Sequence, residues 1–319
     1  PDPSYANATL TQRSKRHPSA QRTANLIFHT LKSYAIMLHR DNSLPPFIHP
    51  RTVSEGYDAE QVKLLTNCIS LIRMLNTGTG TRKLFWKNVR LEFERVIAEY
   101  RLFSRWQIIA AMQALSLYVL IRLHEGETEH NNVDYVLQQA VFAVASYIAS
   151  MGMICDVQSP NCIYGPQISW NDWIFEESAR RIGIIYRIVA FVTNLDLSGL
   201  CPMSGDLLLS PLPARKTLWE AMTEETWDKE SQRDNLHIIY GLAKNGDLVR
   251  VGGEFEEFHY CLDAILSVQG PSAEKPWREK RDWEEWCAGM DGLGGLVLFA
   301  ASLTAEQGLG IPSLASRVS

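Results

Sequence analysis

The sequence predicts an all-α fold, a single large bundle of about ten helices, and three observations carry that expectation. Apolar residues recur at helical spacing through most of the chain. Two stretches, Arg105 to Leu123 and Val133 to Ser150, are apolar on most sides, as helices at the centre of a bundle are. Runs of β-branched residues with strict alternation are scarce. The chain has 319 residues, 46% of them hydrophobic, which is ordinary for a globular protein and too apolar for a disordered one.

Taken in order, residues 1–23 are rich in Ser, Pro, Thr, Asn and Gln, with Arg13, Lys15, Arg16, His17 and Arg22 scattered among them, and show no period. They are expected to form a flexible linker. A helical domain is expected over 24–309, followed by a C-terminal tail at 310–319. Ile27, Leu31, Tyr34 and Leu38 step by four, three and four along one helix face that ends near Arg40. Three prolines in Leu44-Pro45-Pro46-Phe47-Ile48-His49-Pro50 exclude a helix there and predict an extended, partly buried segment. Leu64, Cys68, Leu71 and Leu75 line one stripe and Phe93, Val96, Ile97 and Tyr100 another, with Asn76 to Gly80 as the turn between them. The two apolar helices follow, joined by the acidic loop Glu125 to Asn132, and then a longer helix over Ser169 to Asn194. A coil from Ser198 to Arg215 keeps Leu207, Leu208, Leu209 and Leu212, which need a surface to bury against, so one domain is expected rather than two lobes. Short helices are expected around Leu218 to Met222, Phe255 to Ile265, Trp277 to Cys287 and Leu293 to Thr304. No internal repeat is visible.

Charge and spacing exclude several functions. With 31 Lys and Arg against 36 Asp and Glu the net charge is −5, a poor basis for gripping nucleic acid by bulk field, so no direct nucleic acid contact is expected. The longest apolar stretch, Trp106 to Ile121, is interrupted by Gln107, Gln113 and Ser116 and reads as a core helix, so no membrane partner is expected. Six cysteines stand far apart with no pair at two-residue spacing, which predicts free thiols in a reducing, intracellular setting rather than a zinc ribbon. Two Glu-x-x-His pairs, Glu127 with His130 and Glu256 with His259, lack the further carboxylates of a di-iron centre, and no Asp-Asp-x-x-Asp run holds magnesium for a diphosphate. Gly78-Thr79-Gly80-Thr81-Arg82-Lys83 lacks phosphate-loop spacing. No catalytic residue, metal ligand or cofactor is expected, and the chain is read as a non-enzyme.

The informative segment is Trp170-Asn171-Asp172-Trp173-Ile174-Phe175-Glu176-Glu177-Ser178-Ala179-Arg180-Arg181. On a helix Glu176 faces Arg180 and Glu177 faces Arg181, with the acid in the favourable N-terminal place, among large apolar neighbours. A buried, structural Arg–carboxylate cluster is expected. At this point the chain resembles a family. Trp170, Trp173, Glu177, Arg180 and Arg181 resemble the signature of the middle homology region of fungal zinc-cluster transcription factors. Pro46, Phe47 and His49 resemble its early proline-rich element, and Gln113 to Tyr118 its central helix. Leu208 to Pro213, then Leu218, Trp219, Glu220 and Ala221, with Trp227 beyond, resemble its leucine-proline coil and Leu-Trp-Glu-Ala helix. Asp291 to Leu296 resemble the start of its closing helix. The order is kept over residues 44 to 300.

The resemblance implies a regulatory domain of a nuclear transcription factor that restrains or permits activation, sensing a small-molecule effector or meeting a homodimer partner or coregulator. The zinc module that reads DNA is missing from these residues, so zinc is expected only upstream; the absence of an initiator Met before Pro1 fits an excised piece of a longer chain. The competing expectation is a stand-alone small-molecule-binding protein or enzyme of a secondary-metabolite pathway on the same helical fold.

Overall fold

A computed structural model describes residues 9–38, 43–54, 58–75, 79–150, 168–195, 207–233, 240–243, 246–250 and 283–308. It is a helical bundle: α1 (Pro18–Ile36), α2 (Lys63–Met74), α3 (Thr79–Glu99), α4 (Arg105–Glu125), α5 (Asp134–Ser150), α6 (Trp170–Val192), α7 (Lys216–Trp219), α8 (Glu224–Arg233), α9 (283–289) and α10 (Gly292–Gly308).

Helix α4 is the axis. A capping box starts it: Ser104 Oγ accepts from the Gln107 amide at 3.3 Å, and Gln107 Oε1 accepts from the Ser104 amide at 2.9 Å. Gly126, at φ 74, ends it in a conformation other residues resist. Helices α1, α2, α5 and α6 pack around it, while α3 lies on α5 and α10 on α1. By length and composition α4 could cross a membrane, yet almost every one of its residues is buried by these neighbours. Buried apolar side chains from Leu10 to Leu303 join in one core.

The structure departs from the sequence expectations in several places. Residues 9–23, expected to belong to a flexible linker, pack on the bundle, and α1 begins at Pro18, whose fixed φ suits the first helical position. Residues 9–15 form a strap along the end of α6. Gln12 bridges Thr193, the Arg13 amide donates to Val192 O at 2.8 Å, and Asn194 clasps the strap through its amide and side chain. Leu10 is buried under it. Composition hid this, because the strap is held by backbone bonds and one apolar side chain rather than by a periodic stripe. The proline segment turns at 46–48 instead of running extended and leads into a 3-10 helix, Pro50–Val53. Thr79 and Gly80, expected in a turn, open α3.

A three-stranded antiparallel sheet is formed by β1 (Leu207–Leu209), β2 (Tyr240–Ala243) and β3 (Leu248–Arg250); β1 falls in the expected coil, and β2 and β3 fall where no element was expected. Strands of three and four residues are too short for alternation to register. Gly246, at φ 92, lies between β2 and β3. The expected helix at Leu218 to Met222 is α7, shifted toward the N-terminus, and α8 follows it, carrying Trp227. The expected helix over Phe255 to Ile265, the tail 310–319, Cys155, Cys162, Cys201, Cys261, Glu256 and His259 lie outside the described residues. Of the cysteines described, Cys68 is buried and Cys287 half-buried, both free thiols. Burial pushes the Cys68 thiol up, away from the reactive thiolate.

Candidate functional site

The family-like segments converge on one buried guanidinium. Ser169 opens α6 by accepting the Asp172 amide at 3.1 Å, and the helix then presents Trp170, Trp173, Glu177 and Arg181 on successive turns toward the proline segment, the 210–219 region and the start of α10. Arg181 Nε donates to Glu177 Oε1 at 2.7 Å. Its Nη1 donates to Pro46 O at 2.8 Å and to Asp291 Oδ2, and its Nη2 to Ala214 O at 3.1 Å. The guanidinium lies over the Trp219 ring, 4.1 Å from its centroid. Arg181 and Glu177 are fully buried.

Glu177 is equally occupied. Besides Arg181 it accepts Arg180 Nη1 at 2.6 Å and the Ala214 amide at 2.9 Å. Asp291 turns its other oxygen to the Leu293 and Gly294 amides at 2.9 and 3.3 Å, capping α10. Two guanidinium groups therefore meet two carboxylates, a neutral set whose polar atoms also satisfy backbone groups from three distant segments. Glu176 takes a different place: burial raises its carboxyl pKa against the pull of Arg180.

The remaining motif residues surround this set. Phe47 is buried edge-on to Tyr34 at 6.2 Å, and its carbonyl accepts Gln113 Nε2 at 3.0 Å from the centre of α4. His49 stands edge-on to Trp219 at 4.8 Å and to Trp170 at 6.5 Å. Arg51 covers the Trp170 ring at 4.1 Å. Trp173 meets Trp227 at 5.8 Å, and Leu218 is buried beside Trp219. Glu220 does not join the cluster; it is exposed at the end of α7, 3.9 Å from Lys216 Nζ.

His49 titrates abnormally. Burial first, then the neighbouring Arg181 and Arg51 charges, lower its pKa to about 4, while the Trp219 backbone pulls the other way. Its Nδ1 accepts the Arg51 amide at 3.2 Å, which places the proton of the neutral ring on Nε2. That Nε2 is buried without a partner at normal hydrogen-bond geometry, so the Trp219 backbone contact is too weak to win. Because the folded pKa lies below the unfolded value of about 6.5, the unfolded chain binds this proton first. The resulting stability is complete above about pH 6.5 and is lost as pH falls toward 4, at most about 3 kcal/mol. Urea midpoints should fall between pH 6.5 and 5, and His49→Gln should flatten that slope. The raised carboxyl pKa values of Glu92 and Glu176 act in the opposite sense near the lower end, so the upper range gives the clean reading.

Sequence reasoning expected the Glu177–Arg181 pair but not its three further anchors. Pro46 and Ala214 contribute through backbone carbonyls, which no side-chain pattern reveals, and the role of Asp291 is visible only as a cap before Gly292. Glu177 and Arg181 are sealed from solvent, and their bonds tie the proline segment, the 214 region and the start of α10 to α6, which makes the pair a node of the fold. A small cleft lined by Glu60, Lys63, Leu64, Arg95, Phe103 and Gln107 has a volume of about 40 Å³. Glu127 and His130 lie in the loop before α5, as expected, and no group of three metal-ligating side chains occurs among the described residues. No protein-family model matches the sequence, and neither a curated protein nor a solved structure matches it.

Proposed function

We propose that this chain is the regulatory domain of a fungal zinc-cluster transcription factor, acting in the nucleus without reading DNA bases and without catalysis. The supporting observation is the convergence on Arg181. Segments that resemble the family at 46–49, 113–118, 170–181, 208–219 and 291–296 touch one another through the Arg181–Glu177 pair or its immediate shell. Strings that are separate in sequence thus meet around one buried pair, and that is what supports the reading. In this reading the node holds the bundle in the form that meets an effector or coregulator, while zinc and base recognition belong to an upstream module.

The test is a reporter driven by a heterologous DNA-binding module fused to an activation segment, with this chain inserted between them. Output that depends on the chain and changes when Arg181 is replaced supports the reading. Output indifferent to the chain, across added pathway metabolites, together with an upstream reading frame lacking a cysteine-rich or Cys-Cys-His-His module, overturns it.

A further inference from the structure

The charge of this protein is segregated. Residues 3–40 carry six Lys or Arg and no Asp or Glu, leaving 25 of the 31 basic residues against all 36 acidic ones elsewhere. The net charge of −5 therefore averages a basic amino-terminal portion with an acidic remainder.

The fold turns that segregation into a surface. The strap is pinned on one side to the end of α6, by its backbone bonds and by Lys15 Nζ, which donates to Phe191 O at 3.0 Å and lies over the Phe191 ring at 4.8 Å. On the other side it is tied to α1, because the Lys15 amide donates to Gln21 Oε1 at 2.7 Å and Gln12 Nε2 to Asn25 Oδ1 at 2.9 Å. Arg13, Arg16 and His17 are thus held beside the first turns of α1, where Arg22 is exposed. Arg13 stands near enough to Lys15 to add to the lowering of its pKa, after burial. Arg13, Arg16 and Arg22 are exposed, and among the described residues none has an ion-pair partner. The first turn of α1 contains no acid, so the positive end of the helix dipole reinforces the same region.

We propose that the strap and the first turns of α1 form a docking ridge for the phosphate backbone of duplex DNA, held through Arg13, Arg16 and Arg22 without reading bases. Charge complementarity argues for this occupant. All three exposed cations are arginines, whose planar forks match phosphate. Their backbone is already fixed, so binding orders side chains alone. An acidic peptide fits less well, since such segments also seat apolar anchors, and Leu26 is the one exposed large apolar side chain among described residues 9–38. The ridge revises the expectation of no nucleic acid contact, which treated the charge as evenly spread.

The test is fluorescence anisotropy of the full chain with labelled 20-base-pair duplexes of unrelated sequence. Binding at 50 mM salt is expected to be alike for all sequences and, for three phosphates neutralised, to weaken roughly 40-fold by 200 mM. Arg13→Glu/Arg16→Glu/Arg22→Glu should weaken it at least tenfold with an unchanged melting temperature, whereas Lys83→Glu/Lys87→Glu on the exposed side of α3 should not. If charge reversal lowers the melting temperature, the triple Gln variant supplies the reading. No binding at 50 mM, binding indifferent to the triple change, or tighter ridge-dependent binding of polyglutamate or anionic vesicles than of duplex overturns the proposal.

Discussion

Arg181→Leu is expected to destabilise the fold by about 3 to 5 kcal/mol, the range for removing one member of a buried ion pair. The cost arises from what remains. Glu177 keeps Arg180 and the Ala214 amide, but Asp291 loses its buried cation, and Pro46 O and Ala214 O each lose a donor. The added leucine fills volume and satisfies none of these. Arg181→Lys should recover only part of the loss, because one ammonium cannot serve Glu177, Asp291 and two carbonyls while lying flat on Trp219. Urea unfolding monitored by Trp fluorescence measures both. The double variant Arg181→Leu/Glu177→Leu should cost less than the sum of the singles, since it removes two opposite charges together. A loss below about 1 kcal/mol for Arg181→Leu would show that water or rearranged partners replace the guanidinium.

Asp134→Ala is expected to act almost as strongly, again by about 3 to 5 kcal/mol. Arg122 Nη2 donates to Asp134 Oδ2 at 2.8 Å, and Nε lies 2.7 Å from Oδ1, an ion contact off the hydrogen-bond angle. Both residues are buried, so the variant strands the Arg122 charge inside the bundle. The same Oδ2 accepts the Leu10 amide at 2.7 Å, which makes Asp134 the point where the strap meets the α4–α5 corner. Asp134 also begins α5, where a carboxylate favours the helix dipole. Hydrogen exchange separates the two roles. Faster exchange at Leu10, Thr11 and Arg13 with α5 still protected marks loss of the strap; uniform acceleration marks global destabilisation alone. Asp134→Asn should keep much of the strap protection while losing most of the ion-pair stability.

The long helices were legible because each buries a stripe that repeats with the helical period. Leu64, Cys68, Phe93 and Val96 are buried as their spacing requires, and α4 lies at the centre because it is apolar all round, whereas α5, expected there too, keeps an exposed face at Tyr135, Gln139 and Phe142. Features held by backbone bonds were not legible. The strap depends on main-chain bonds to Val192 and on one asparagine, and the small sheet on strands too short to alternate. The node was half legible for the same reason. Glu177 and Arg181 follow from four-residue spacing, whereas Pro46 and Ala214 offer carbonyls that any residue would offer. The Arg122–Asp134 pair spans the Gly126 cap and the following loop, and no helical spacing relates its two members.

Helix α6 is gripped at its middle and at its C-terminal end. The guanidinium node fixes it at Arg181, and the strap fixes its last turn at Phe191, Val192 and the following Thr193 and Asn194. Its 23 residues span about 34 Å at 1.5 Å per residue, and about 16 Å separates Arg181 from Val192. In mechanical terms α6 is a strut with a tether tied to its far end. Tension on the chain before Thr9 would be shared between the last turn of α6, through Asn194, and the α4–α5 corner, through the Leu10 amide on Asp134.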